Sequence, residues 1–343
     1  MTSASPSPCP SATPSPPSSP SSPSSPPSPA PAAPAGSAPG TREISAVLAE
    51  RWRLPGAVVT ELPGGMNSLT WHVGHRGARW VAKAVPRGGP ERPLRYGLRL
   101  AALAEAAGVP SGVPERAADG RLTARVRGHV LALLRWVPGR ELNGADPGDL
   151  ARLGATLARA HLALGTGTVS QDRARASFDP AAGGREAAYA VRPWIRPALA
   201  GAAERLRRVR PETLTWGPSH GDPAPEHFRF DPRTGRCGLI DWGAAGHRPR
   251  LYDLATAVLD AGGPDGAGPL LRAYTEGGGL PSEEIERGLL PVLDFRYAVN
   301  TLYYADRFAR GATGPEGPGG NEERLDHARR WFERRAGGLP GGG

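Results

Sequence analysis

The chain has 343 residues, of which 42 are lysine or arginine and 33 are aspartate or glutamate, for a net charge of +9. A basic balance can indicate a nucleic-acid or anionic membrane partner, but these arginines are scattered, and the densest group, at 205–210, has no interleaved aromatic side chains. We interpret that group as a solvated helix face and expect neither nucleic acid nor a membrane as a partner. No apolar run reaches the roughly 18 residues that a membrane span needs.

The N-terminal segment differs from the rest of the chain in composition. Residues 1–41 are almost wholly Ser, Pro, Ala, Gly and Thr and carry no charged side chain. Such a segment cannot bury enough apolar surface to offset its ordering entropy, so we expect a disordered tail. It lacks the basic start and apolar core of a secretory signal; a start codon assigned too far upstream is an open alternative. Cys9 and Cys237 do not make a disulfide framework, and we expect a reducing cytoplasmic setting.

A β-rich N-terminal part is predicted over residues 42–137. It opens with a short helix over 42–52 and contains a second helix over 94–107, which Gly108 and Pro110 terminate. The segments that are typical of strands are 57–62, 69–73, the run around Lys83, 121–126 and 130–137. A glycine-bearing turn at 63–68 joins the first two, so these strands predict a small antiparallel sheet.

The remaining residues, 138–335, have a mostly helical pattern. Leucines repeat at helical spacing over 149–164, and His161 lies on the same apolar face, where we interpret it as a core histidine. Further helices are predicted over part of 189–208 and over 252–260, 269–275, 281–308 and 321–335, with 165–185 as a connection. Residues 336–343 are expected to be a flexible Gly-rich end. The predicted class is α+β, with a small β-rich N-lobe and a larger helical C-lobe.

One basic residue stands apart from the others. Lys83 is the single lysine of the chain, and it lies in the β-branched and apolar run 80–85. A lysine presents a compact charge on a slim stem, whereas an arginine presents a wide planar fork. A strand lysine therefore suits a site where the α/β-phosphates of a nucleotide must be approached closely. A solvated strand face is the alternative, and Lys83 alone does not decide between the two.

The most specific stretch of the chain is 219–243, which consists of a loop, a tight turn and a returning strand. This hairpin brings Asp222, His227 and Asp241 to one end of a two-stranded ribbon. Two carboxylates and an imidazole that converge in this way can hold a divalent metal beside a general base. Either aspartate alone is more simply a turn residue. Both together, downstream of the lysine strand, favour catalysis.

Several motifs follow one another in a recognisable order. They are His220-Gly221-Asp222, Ile240-Asp241-Trp242-Gly243 and Leu251-Tyr252-Asp253-Leu254-Ala255, with weaker support from Gly64-Gly65-Met66-Asn67-Ser68 and Val81-Ala82-Lys83. In the order and spacing of these motifs along the chain, the sequence resembles the aminoglycoside phosphotransferase and choline kinase-like enzymes over about residues 42–335. The resemblance implies a protein-kinase-like two-lobed fold, with a nucleotide-binding lobe at 42–137 and a catalytic and acceptor-binding lobe at 138–335.

The resemblance also implies an activity. It is that of a small-molecule kinase, which moves the γ-phosphate of ATP or GTP to a hydroxyl of a small acceptor with Mg²⁺ or Mn²⁺ present. An antibiotic such as an aminoglycoside or a macrolide is one such acceptor, and a monomer or weak dimer is expected. Because phosphoryl transfer has a loose transition state, such a site works mainly by positioning and charge neutralisation.

The site residues that the resemblance implies come from both lobes. The nucleotide-binding residues would be Lys83, Asn67, Ser68, Arg135, Trp136 and Val137. Lys83 would pair with the α/β-phosphates, Asn67 and Ser68 lie in the turn that covers them, and the backbone of 135–137 would read the base. Asp222 would orient the acceptor hydroxyl and take its proton, while Asp241 would hold the metal. His220 is interpreted as shaping the loop, and Asp253 as an N-cap that the resemblance also makes a brace for the loop.

Two features depart from the family pattern. The family's loop usually ends in an asparagine, a hard oxygen donor, whereas this chain has His227. His227 would ligate the metal, as the similar loop of macrolide phosphotransferases allows, or bond a metal-bound water, or leave a pseudokinase with a regulatory or scaffold role. The glutamate that normally pairs with the strand lysine is also unclear, because neither Glu91 nor Glu105 is well placed. The partner of Lys83 therefore stays open.

The acceptor is not identified by the sequence. Several polar residues fall near one face of the helix predicted over 281–308, and a solvated face is the simpler interpretation than an acceptor pocket. These residues are Arg296, Asn300, Tyr303, Tyr304 and Arg307. Polycationic aminoglycosides would need converging carboxylates, and the acidic residues of 276–306 are not spaced to share one cleft. A neutral or partly apolar hydroxyl compound is equally allowed.

Overall fold

The N-terminal lobe is built on a five-stranded antiparallel sheet. The structure is a computed structural model that describes residues 38–63, 68–88, 91–178, 186–312 and 320–337. The strands lie in the order β1-β2-β3-β5-β4, and each neighbouring pair is antiparallel. Their bounds are β1 Val58–Leu62, β2 Leu69–His75, β3 Ala78–Pro86, β4 Ala124–Val126 and β5 His129–Arg135. The predicted antiparallel sheet is confirmed, although the strand expected over 121–126 begins only at Ala124.

Two helices approach opposite faces of this sheet. Helix α1 (Thr41–Trp52) covers one face, and helix α2 (Glu91–Ala106) lies against the other. The buried side chains shared by α1 and its face include Ile44, Leu48, Ala82, Ala84 and Leu131. Since side chains alternate along a strand, Lys83 projects from the face opposite these two alanines, where Val85 packs against Leu94. The sheet therefore presents its lysine away from the α1 core.

The C-terminal lobe is mostly helical and carries two small sheets. One sheet pairs β7 (Trp216–Ser219) with β10 (Gly246–Pro249). The other has the order β6-β8-β9, from Arg140–Glu141, Phe228–Asp231 and Arg236–Leu239. The helices are α3 Pro147–Leu164, α4 Gln171–Ser177, α5 Glu186–Ala190, α6 Ile195–Val209, α7 Arg250–Asp260, α8 Gly268–Glu276, α9 Ser282–Ala309 and α10 Gly320–Gly337. The predicted α+β class is confirmed.

Local structure corrects the sequence interpretation at three points. The connection predicted over 165–185 contains helix α4, and β10 was not predicted. The helix predicted over 252–260, with Asp253 interpreted as its N-cap, begins earlier, at Arg250, because strand β10 ends at Pro249, whose extended backbone precedes the first turn. Asp253 therefore lies inside helix α7, and the interpretation of Asp253 as an N-cap is wrong.

A close backbone approach joins helix α2 to the C-terminal lobe. A Cβ atom placed on Gly97 would lie 2.0 Å from the carbonyl oxygen of Trp242, so only glycine allows this contact. Trp242 directly follows Asp241, and the approach therefore holds the helix against the segment that carries this carboxylate. In the described part of the chain, no helix is long and apolar enough to cross a membrane.

Candidate functional site

The ribbon formed by β8 and β9 brings three of the predicted site residues together. Ile240 donates its backbone N–H to the carbonyl oxygen of His227 at 2.8 Å, so the residues on either side of the hairpin stand next to each other. Asp241 follows at once, and Asp222 precedes His227 by one short loop that ends in a 3₁₀ turn. The structure thus places Asp222, His227 and Asp241 at one end of the ribbon, as the sequence predicts.

Asp241 forms an ion pair with the lysine of the opposite lobe. Lys83 donates from Nζ to Asp241 Oδ1 at 2.5 Å, and the Lys83 side chain is 8% exposed. Asp241 itself has a left-handed backbone, with φ 62°, and its Oδ1 also accepts the N–H of Gly243 at 3.2 Å. Burial opposes ionisation, but the charges of Lys83 and His227 outweigh it and hold the pKa of Asp241 well below its usual range. The carboxylate is therefore ionised at neutral pH.

Asp222 is a buried carboxyl with one oxygen that has no partner. Oδ1 is shielded from solvent and forms no hydrogen bond within the described residues. Burial raises the pKa of Asp222 to about 7, against the opposing charges of His227 and Arg296. A carboxyl with a pKa near the working pH can both accept and release a proton. This is what a general base for a hydroxyl needs.

His227 is held in one orientation by the backbone of its own loop. Its Nδ1 lies 2.7 Å from the carbonyl oxygen of Asp222, so in the neutral ring Nδ1 carries the proton and donates. That tautomer leaves the Nε2 lone pair free for a metal, which is the usual arrangement of a ligating histidine. Burial disfavours the charged ring, but the nearby carboxylates of Asp222 and Asp241 prevail and raise the pKa of His227.

His227 and Asp241 together suit a divalent metal. No cluster of three or more His, Cys, Asp and Glu side chains that could share an ion occurs in the described residues. Asp241 Oδ2 accepts no hydrogen bond there, however, and the Asp241 side chain is 38% exposed, so one carboxylate oxygen and one imidazole nitrogen are available. A kinase metal takes most of its remaining ligands from phosphates and water. These two residues therefore fit such an ion, with an imidazole where Mg²⁺ would prefer oxygen.

A buried carboxylate braces the loop from behind. Asp253 accepts the backbone N–H groups of His220 and Gly221 at 2.7 and 2.8 Å, and its Oδ2 lies 3.1 Å from His161 Nε2. His161 in turn contacts the hydroxyl of Tyr274 at 2.7 Å. His161 is thus a buried core histidine, as predicted, but one whose ring links Asp253 to helix α8. The loop takes its shape from these bonds.

His220 contributes to the same shape. Burial lowers the pKa of His220 to about 4, so its ring is neutral near pH 7. The ring donates from Nε2 to the carbonyl oxygen of Ile240 at 2.9 Å and accepts the N–H of Asp222 at Nδ1, at 3.3 Å. Both nitrogens are used within the loop, which supports the interpretation that His220 shapes the loop.

The two glutamates near α2 are engaged elsewhere. Glu105 accepts the backbone N–H of Ser111 at 2.7 Å, and Glu91 accepts from Arg95 at 2.9 Å. In the described part of the chain, the one ion-pair partner of Lys83 is Asp241. The question that the sequence left open therefore has a structural answer, and it lies in the other lobe.

The remaining predicted nucleotide-binding residues lie at opposite ends of the inner strands of the sheet, beside the start of β2 and the end of β5. Arg135 and Trp136 already donate their backbone N–H groups to the carbonyl oxygens of Val113 and Arg79, at 2.9 and 3.2 Å. The N–H of Val137 forms no hydrogen bond within the described residues, so it is the donor of this segment that remains for a base. Ser68 directly precedes β2, and Asn67 lies outside the described residues.

Fold and site together define a class of protein. A small antiparallel sheet bearing a lysine faces a helical lobe bearing two aspartates on a loop and hairpin, as in two-lobed kinase-like proteins. The model of the phosphotransferase enzyme family (APH) matches residues 58–289, and the chain belongs to this family. The resemblance stated from the motifs is confirmed.

Known relatives are small-molecule kinases. Homoserine kinase from Rhodospirillum rubrum is 29% identical over 201 residues, which cover 57% of this chain and 61% of that enzyme. The chain thus spans less than two thirds of its length. A microcompartment-associated aminopropanol kinase superposes with a TM-score of 0.64 at 16% identity, over 86% of this chain and 97% of that one. A choline kinase from Streptococcus pneumoniae gives 0.61 at 15% identity, over 85% and 98%. These two likenesses show the kinase-like fold.

Proposed function

We propose that the protein is an ATP- or GTP-dependent kinase that phosphorylates a hydroxyl group of a small molecule. The observation that carries the proposal is the meeting of Lys83 and Asp241 across the two lobes, beside the unpartnered oxygen of Asp222. Phosphoryl transfer needs an amine that binds phosphate, a carboxylate that binds metal and a carboxyl with a free acceptor atom.

Asp222 is the proposed general base. Its Oδ1 accepts the hydrogen bond of the acceptor hydroxyl and receives the proton as the hydroxyl oxygen bonds to the γ-phosphorus and the bond from that phosphorus to the leaving nucleoside diphosphate breaks. Holding that oxygen in line contributes more than the proton transfer, because the transition state is loose. The brace from Asp253 fixes the loop for this purpose.

Lys83 and Asp241 are the proposed phosphate and metal residues. When the nucleotide binds, the Lys83 amine is shared between Asp241 and the α/β-phosphates. His227 Nε2 and Asp241 would hold Mg²⁺ or Mn²⁺, whose positive charge neutralises the phosphate oxygens when it is bound. Val137 offers the backbone donor for the base, and the turn containing Asn67 and Ser68 is proposed to cover the phosphates.

The test is an acceptor screen with a matched variant. The full chain is incubated with ATP or GTP, Mg²⁺ or Mn²⁺, and a panel containing homoserine, aminopropanol, choline, an aminoglycoside and a macrolide, and the release of ADP or GDP is measured. Asp222→Asn should reduce transfer by roughly 10²–10⁴-fold while the nucleotide still binds. Asp119→Asn, on an exposed turn of the N-terminal lobe, serves as the control. Nucleotide binding without transfer to any compound, in an intact protein, would instead support a pseudokinase.

A further inference from the structure

Two arginines converge on one tyrosine beside the Asp222 loop. The guanidinium carbons of Arg296, on helix α9, and Arg248, on strand β10, lie 4.7 and 5.1 Å from the centre of the Tyr252 ring. Arg248 lies directly against the loop, because a Cβ atom on Gly221 would be 2.8 Å from its Nη1. The positive charge of Arg296 acts on the Asp222 carboxyl. Two cations therefore stand next to the position where an acceptor hydroxyl must lie.

Arg296 is fully buried yet poorly satisfied. It is 0% exposed, and its Nη1 donates to the Tyr252 hydroxyl at 2.5 Å. Its Nε and Nη2 have no hydrogen-bond partner, and in the described part of the chain it forms no salt bridge. Other buried or half-buried arginines differ. Arg205 pairs with Asp294, and Arg250 donates to three backbone carbonyl oxygens, which leaves only its Nε unpartnered.

The two free nitrogens of Arg296 form one binding edge. Nε–H and Nη2–H point the same way on the guanidinium plane, and together they match the two oxygens of a carboxylate. A buried cation without an anionic partner is unfavourable, because the hydrogen bond and ring contact with Tyr252 replace only part of the hydration that the charge has lost. A fold that keeps this edge unpaired is arranged for an anion that arrives with the substrate.

A third unpartnered atom lies one helical turn further along α9. Asn300 follows Arg296 by four residues, so the two side chains share a face of the helix. The Asn300 Oδ1 atom is buried and accepts no hydrogen bond. An amide oxygen can only accept, so it calls for an N–H or O–H donor on the ligand. The sequence interpretation of this helix face as solvated is thus wrong at Arg296, the residue nearest the site.

We infer that the acceptor is a small hydroxy acid: its carboxylate binds the Nε/Nη2 edge of Arg296, and its hydroxyl lies on Asp222 Oδ1. A donor group of the acceptor, such as an amino group, is placed on Asn300 Oδ1. This inference rests on the proposed kinase function and narrows its substrate class. Arg248 adds the second positive charge, so cationic acceptors such as choline and polycationic aminoglycosides are disfavoured.

The experiment compares acceptors that differ only at the carboxylate. L-Homoserine is compared with homoserine amide, in which a neutral carboxamide replaces the carboxylate, and 3-hydroxybutyrate is compared with 1,3-butanediol, which carries no charge. The acid of a pair should be preferred by about tenfold to a hundredfold in kcat/KM, the range expected for hydrogen bonds to a charged group. Arg296→Lys keeps the charge but loses the bidentate edge, so the KM for the acid should rise and the preference should fall towards one. Arg125→Gln, on an exposed position of β4, is the control.

A binding measurement separates this inference from the kinase proposal. Hydroxy acids should raise the melting temperature of the wild-type protein more than the partners that lack a carboxylate do, and this difference should be smaller in Arg296→Lys. Acid-selective binding without phosphoryl transfer would overturn the kinase function and leave the anion site standing. Equal binding and turnover of the acid and of the partner that lacks the carboxylate, or a preference for choline or aminopropanol, would overturn the anion site. An Arg296→Lys protein that loses turnover of both partners equally would also contradict it.

Discussion

Lys83 and Asp241 lie 158 residues apart in the chain and meet in one ion pair of 2.5 Å between the N-lobe sheet and the C-lobe hairpin. The pair occupies a confined place, since a Cβ atom on Gly243 would be 3.2 Å from Lys83 Nζ. Under the proposed function, a nucleotide would have to enter this ion pair rather than meet an unpaired amine. The strength of the pair would then set part of the nucleotide affinity.

A substitution of the lysine by arginine should not preserve binding. The guanidinium fork of Lys83→Arg is wider than the space beside Gly243 allows, so we expect the dissociation constant for nucleotide to rise at least about tenfold, much as in Lys83→Met. Calorimetric titration with ATP and Mg²⁺ measures both variants. Wild-type affinity in the arginine variant would show that charge alone suffices here.

The metal preference should depend on His227. If Nε2 ligates, then the imidazole favours a transition ion such as Mn²⁺ over Mg²⁺ relative to an amide oxygen. His227→Asn should therefore lower the ratio of Mn²⁺ to Mg²⁺ affinity on the order of tenfold, measured from activity against metal concentration. His75→Asn, at the end of β2, is the matched control. An unaltered ratio in His227→Asn would place the histidine outside the coordination sphere.

Stability in acid should depend on Asp149, which begins the buried face of helix α3. Arg140 bonds its carboxylate at 2.6 and 2.8 Å, and these bonds, against the cost of burial, lower the pKa of Asp149 from 3.8 to about 2. The folded protein thus favours the ionised form of Asp149. The contribution of this carboxylate to the free energy of unfolding is therefore present above about pH 4 and is lost as the pH falls towards 2. It amounts to about 2 kcal/mol. Denaturant unfolding of wild type and Asp149→Asn should give free energies that differ at pH 6 and converge near pH 2; a gap that is constant with pH would contradict this.

The contact between α2 and Trp242 should be sensitive to one methyl group. Gly97→Ala places a Cβ 2.0 Å from a backbone oxygen that cannot rotate away, so the helix must shift from the Asp241 segment. We expect a destabilisation of about 1–3 kcal/mol and weaker nucleotide binding. Gly201→Ala in α6 is the matched control, because its Cβ meets only the mobile end of Arg205 at 3.3 Å and gains helix propensity. Similar melting temperatures for the two variants would show that the contact between α2 and Trp242 tolerates the extra methyl group.

Sequence patterns predicted the structural features that depend only on residues close together in the chain. Periodicity placed the strand around Lys83 and the helix that contains His161, and the hairpin turn was enough to bring Asp222 and Asp241 to one end of a ribbon. These inferences need only neighbouring residues and the pleat or turn of one element. The fold class followed from the same information.

Contacts between distant elements could not be predicted in this way. The partner of Lys83 lies in the other lobe, and no spacing along the chain encodes that meeting. Arg296 looks like a solvated helix residue because a charged side chain is typical of an exposed helix face. In the structure it is buried and donates a hydrogen bond to the Tyr252 hydroxyl of another helix. The start of α7 is set by the pairing of β10 with β7, whose residues lie more than 30 positions before Asp253. The sequence around Asp253 does not show this pairing, and Asp253 therefore looks like a helix cap.

The solitary lysine has a practical chemical consequence. The chain offers amine-directed reagents a single side-chain target, and the other 41 basic side chains are unreactive towards them. Under the proposed function, an acylating group tethered to a nucleotide would modify Lys83 in the cleft, and a single modified lysine peptide would report nucleotide occupancy there.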